Sequence, residues 1–208
     1  MNATCEKELV APHSFLTKIA KAIRVITIPP LMVAALLSVL FFCDDVFPTV
    51  GDYLLSMLFL AIVPVMAYPL QRVVPAWRRG GRRTERKLAF VISIFSYGAA
   101  VACSVARDAV PNLLFISVVY FASVLILTLF NTLTPWRASG HACSIAGPIL
   151  LICLFVGWYA IPIGAVLYVA SFWASVYMKR HTVREFLLGT LSAALAAVIC
   201  YFIVHPIF

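Results

Sequence analysis

Charge is scarce in this chain, and negative charge scarcer: only 12% of 208 residues are Asp, Glu, Lys or Arg, and eight acidic residues face sixteen basic ones. That shortage excludes a soluble domain. With 63% hydrophobic residues and a mean hydropathy of +1.02, too little polar surface is left to meet water. The six cysteines have no CxxC spacing, so neither a disulfide framework nor a zinc site is expected. Clustered carboxylates of the kind that hold two catalytic metals are missing as well, and no metal or other cofactor is expected. The first fifteen residues mix Glu6, Lys7, Glu8 and His13 and lack an apolar core beside a cleavage site, which does not read as a removed signal peptide. There is no repeat of fixed period and no low-complexity tract.

What the chain has instead is long apolar runs. Seven can be drawn, at 23–43, 53–70, 88–106, 110–130, 142–157, 160–178 and 186–204, each near the length of a membrane crossing. The expected fold is therefore all-α, an integral membrane bundle of about seven transmembrane helices. Its parts are a cytoplasmic or interfacial segment over 1–22 and a single transmembrane domain over 23–208. Pro29-Pro30 should end any helix arriving from the amphipathic stretch 15–24, which carries Lys18, Lys21 and Arg24 and is expected to lie along the membrane surface.

Seven crossings sort the charges. One face collects the N-terminal segment through Arg24 and the loops at 72–87, 131–140 and 179–185, and with them fifteen of the sixteen cations. The other face keeps Arg107 and receives Asp44, Asp45, Asp52 and Asp108. Basic loops stay in the cytoplasm, so the expected location is the cell inner (plasma) membrane, with the N-terminus cytoplasmic and the C-terminus outside. The net charge of +8 is accounted for by this loop bias, and no nucleic acid partner is expected.

Two polar patches on that basic face carry histidines: Arg137-Ala138-Ser139-Gly140-His141 and Lys179-Arg180-His181-Thr182-Val183-Arg184-Glu185. About one helical hairpin lies between them, so both histidines should reach the same surface among cations. Cleaving a phosphate ester there needs cations and donors for the phosphate oxygens, a nucleophile, and an acid for the leaving oxygen. Arg137, Lys179, Arg180 and Arg184 offer charge; Ser139 and Gly140, at a helix start, offer a hydroxyl and free N–H groups. His141 and His181 are the candidate acid and nucleophile. Glu185, one turn after His181, can accept the second imidazole N–H and steady its charge.

At these residues the chain resembles the type 2 phosphatidic acid phosphatase superfamily of membrane lipid phosphatases. Ala138-Ser139-Gly140-His141 is similar to that family's Pro-Ser-Gly-His, and the run from Ala174 through His181 to Glu185, with Gly189 beyond, has the spacing of its third motif. The resemblance covers roughly 131–189 well and is looser upstream, where the Arg-rich loop ending Glu85-Arg86-Lys87 resembles that of small prokaryotic members with an extra leading helix. The family's leading Lys and Arg-Pro have no counterpart before Ser139, where Asn131, Pro135 and Arg137 stand, and Ala174-Ser175 replaces its Ser-Arg pair. It implies a six-helix phosphatase-like core plus one leading helix, His181 as a nucleophile forming a phosphohistidine, and His141 as the acid. Glu185 then stands where the family keeps an orienting aspartate, and the substrate is a lipid or isoprenoid phosphate. The activity expected is thus a metal-independent phosphatase at the cytoplasmic leaflet. The alternative is a catalytically degenerate relative that binds anionic lipid or a partner; a homo-oligomer is compatible with either. A transporter is disfavoured because the apolar runs are nearly free of charge.

Overall fold

A computed structural model describes residues 15–204, apart from the side chains of Arg82 and Arg83, and every element in it is helical. The N-terminal expectation over 1–14 and the C-terminus at 205–208 lie outside the described residues. The helices are α1 (Phe15–Ile26), α2 (Pro29–Cys43), α3 (Val50–Val73), the short α4 (Pro75–Arg78), α5 (Gly81–Ala106), α6 (Pro111–Leu133), α7 (Gly140–Val156), α8 (Ile161–Tyr177) and α9 (Val183–Val204).

Six of the apolar runs become helices and the first, 23–43, is split between α1 and α2 at Thr27 and Ile28, but the count of crossings is coarser than seven. Five helical spans are long and apolar enough to cross a membrane: α3, the Thr84–Ala106 part of α5, α6, Trp158–Tyr177 and α9. A sixth results if α1 and α2 form one broken span, and α7 is apolar but only 17 residues long. These helices are those of a multi-pass membrane protein.

Local chemistry explains the breaks. Pro29 and Pro30 lack the N–H groups that would continue α1, and α2 leaves at 54° to it. Inside α3, residues Met57–Ile62 form a π-helical turn. In that register the Phe59 carbonyl would accept from residue 64, which is a proline with no N–H; the Ser96 hydroxyl of α5 donates to it instead.

Packing falls into two clusters. The larger joins α2, α3, α5, α6, α7 and α9 around Leu36, Leu37, Leu40, Phe115, Ile116 and Leu151, all nearly inaccessible. The smaller, Leu127, Ala138, Cys143, Ala146 and Ala193, lies beneath the histidine patches. Here α9 packs on α7 and α6 through small residues, which let backbones approach closely. Gly189 is the tightest point: a Cβ there would collide with the Ser139 carbonyl oxygen. The two patches are also tied directly, because the Ser139 N–H donates to the Glu185 carbonyl at 2.8 Å.

Candidate functional site

Near this tie between the patches lies a cavity of about 470 Å³ that both His141 and His181 line. Arg24, Arg86, Arg137 and Arg180 line it too. They come from α1, α5, the 134–139 connection and the α8–α9 connection, so four basic segments expected on one face do meet at one end of the bundle. Arg107 at the end of α5 instead pairs with Asp52 near the start of α3, at 3.1 Å.

His181 sits in the short connection before α9. Its Nδ1 lies 3.4 Å from Glu185 Oε2. The same Oε2 accepts from the Thr182 N–H at 3.2 Å, while the Glu185 N–H donates to Thr182 Oγ1 at 3.2 Å. Thr182 and Glu185 thus form a reciprocal capping box, whose signature Thr-x-x-Glu is visible in the sequence. Burial holds the His181 imidazole below its ordinary value of 6.5; Glu185 pulls the other way, and Arg24 and Arg86 reinforce the lowering. Burial thus favours the neutral form of the ring.

His141 occupies the first turn of α7. Ser139 is the N-cap of that helix, its hydroxyl accepting from the Ala142 N–H at 3.2 Å. It is almost fully buried and does not line the cavity, whereas Gly140 does. His141 Nε2 lies 3.5 Å from Thr27 Oγ1, and that hydroxyl donates to the Ile23 carbonyl at 2.8 Å. Any hydrogen bond between them therefore has the imidazole as donor. The elbow between α1 and α2 is in this way seated against His141, which has Arg24 and His181 as electrostatic neighbours.

Of the residues read from the sequence, His141, His181, Glu185, Arg137, Gly140 and Arg180 are brought together around one cavity. Ser139 and Lys179 are not among its lining; Lys179 takes a left-handed backbone, φ 51°, in the turn after α8. Arg184 points elsewhere, its guanidinium 3.8 Å above the Trp136 ring. Sequence reasoning missed Arg24 and Arg86 as cavity residues, because the loop-charge bias already accounted for them.

Below the arginines the cavity runs into the bundle. Eleven residues of α5 separate Arg86 from Tyr97, about 16 Å along the helix, and both line it. Its walls there are Val33, Leu60, Val119 and Leu151, with the Tyr120 hydroxyl buried and unpartnered. The cavity thus has a charged mouth over a mostly apolar shaft, with Ser93 and Ser123 also in its walls. No group of three or more His, Cys, Asp or Glu side chains placed to hold a metal occurs among the described residues. Comparison of the chain with protein-family models, curated proteins and solved structures gives no match.

Proposed function

We propose that the protein is a phosphatase of a lipid or isoprenoid phosphate, acting without a metal at the cytoplasmic leaflet of the inner membrane through a phosphohistidine. In this reading the bundle crosses seven times, α1–α2 as the bent first span and α7 as the short fifth, with the cavity mouth inside. The observation that carries it is the cavity itself: two imidazoles open into one space among four arginines, and one of them is backed by a carboxylate.

The chemistry follows from that placement. The phosphate enters among the arginines, which neutralise its oxygens as charge shifts in the transition state. His181 Nε2 attacks phosphorus, an N–P bond forms and the P–O bond to the lipid breaks. His141 gives its proton to the departing lipid oxygen, and the bound phosphate supplies the negative charge that lets it hold that proton among the arginines. The Nδ1–H of His181 points to Glu185, which steadies the positive charge on the phosphorylated ring. Water then attacks phosphorus, His141 takes the water's proton, and the N–P bond breaks to release inorganic phosphate and free His181.

Purified protein should release phosphate from phosphatidate or an isoprenyl diphosphate in the presence of a chelator, and His181→Ala should abolish release. Wild type as inert as His181→Ala across both substrate classes would overturn the reading. A second reading, anion binding without turnover, has one observation in its favour. Ser175, at the position of the family's clamping arginine, is fully buried and does not line the cavity. That reading predicts retained acidic lipid and no release.

A further inference from the structure

Among the described residues, the cavity arginines form no ion pair: the pairs there are Arg107 with Asp52 and His181 with Glu185. One terminal nitrogen of Arg24 is buried with no hydrogen-bond partner. Arg24 is also placed where it repels Arg180 and disfavours protonation of both histidines. Gathering cations in a mostly apolar protein against their own repulsion is unfavourable unless an anion joins them. Two acidic residues, Glu85 and Glu185, line the same cavity. Four arginines against two glutamates leave a charge of +2 with neutral imidazoles, the complement of a phosphate monoester dianion.

We propose that Arg24 and Arg86 are anion-binding residues of this cavity, completing with Arg137 and Arg180 a seat for the phosphate of an amphiphile whose chain lies along the shaft below. Both lie outside 131–189, the stretch that carries the motif resemblance, Arg86 in the upstream loop where it is looser. They supply forked guanidinium donors to a site that has Ala174-Ser175 where an arginine is expected. Arg24 reaches the cavity because of the α1–α2 elbow, with Thr27 seated against His141. Helix α1 is thereby part of the site and not merely an anchor on the membrane surface. The assignment deepens the phosphatase reading and rests on it for the chemistry, but not for the binding.

Delipidated protein in neutral detergent is titrated with dioctanoyl phosphatidate, dioctanoyl phosphatidylcholine and inorganic phosphate, followed by calorimetry and thermal unfolding, with phosphate release from phosphatidate measured in parallel. Wild type should bind phosphatidate at least tenfold more tightly than phosphatidylcholine, and inorganic phosphate should compete. Arg24→Gln and Arg86→Gln should each weaken phosphatidate binding about tenfold or more, Arg24→Lys should recover part of it, and Lys21→Gln on the exposed side of α1 should change nothing. The ligand-free Arg24→Gln protein should melt no lower than wild type, since the guanidinium has repulsion to lose; a purely structural arginine would lower it. If Arg24→Gln does not fold, Arg86→Gln and Arg24→Lys decide. Unchanged affinity in the folded variants, or equal binding of phosphatidylcholine by wild type, overturns the assignment, and intact hydrolysis in those variants leaves the phosphatase reading standing. Tight binding that needs Arg24 without any hydrolysis upholds the assignment and overturns the phosphatase.

Discussion

Glu185 serves two partners with one oxygen, the His181 ring and the Thr182 N–H. Its two roles separate by mutation. Thr182→Ala removes the hydroxyl that accepts the Glu185 N–H and should cost about 1 kcal/mol, read as a lower melting temperature, with little change in pH profile. Glu185→Gln should act on the chemistry. His181 must be neutral to attack and its pKa lies below 6.5, so the acid limb of the rate profile should fall below pH 6.5. Glu185 raises that pKa, so its loss should move the limb to still lower pH. At the same time turnover should fall, on the order of 10²–10⁴-fold, because nothing steadies the charged ring. A steady-state pH series on both variants checks this; a limb that moves upward in Glu185→Gln would refute the assigned contact. The contact of Glu185 with His181 was legible from their spacing. The capping role was equally legible from Thr-x-x-Glu, and reading only one of two compatible signals hid half of what the residue does.

Helix packing decides whether the two histidines share a cavity, and α9 against the start of α7 is the contact that matters. Gly189→Ala would drive a Cβ into the Ser139 carbonyl oxygen, with the Ala142 Cβ only 3.0 Å away. Backbone cannot swing aside as a side chain can, so the helices must separate, at a cost of about 1–3 kcal/mol. Because Ser139 precedes His141 and Glu185 lies one turn before Gly189, that separation also pulls the histidine patches apart. Activity should therefore drop further than stability does, in a comparison of turnover with melting temperature for the same preparation. The convergence itself was readable from the sequence, since a helical hairpin returns a chain to the surface it left. The elbow at Pro29-Pro30 was readable for the same reason that any proline pair is. The π turn in α3 was not: Pro64 announces a disturbed helix, but the form it takes depends on Ser96 arriving from α5. Arg24 and Arg86 were hidden differently, because a cation in a basic loop already has an explanation in topology, and only three-dimensional proximity adds a second one.

At the scale of the whole molecule, charge is divided between two ends. Arg24, Arg86, Arg137 and Arg180 gather at the cavity mouth, whereas Asp52 and Arg107 meet each other where α3 begins and α5 ends. The proposed orientation follows from retention of basic loops in the cytoplasm, a segment of net positive charge being held back during insertion while acidic connections cross. Cys43, exposed at the end of α2 beside Asp44 and Asp45, should face outside. Arg78, exposed in the basic connection between α3 and α5, should face inside. In a cysteine-free background, Cys43 retained alone should react with a membrane-impermeant maleimide in right-side-out vesicles and be protected in inverted ones. Arg78→Cys should show the reverse, and because it removes one of many basic charges on its face it should leave the orientation unchanged. Both thiols reacting from one side would mean an even number of crossings between them, which the single span α3 does not provide. The reverse pattern for both would place the arginine-lined mouth outside, and with it any phosphate the protein can reach.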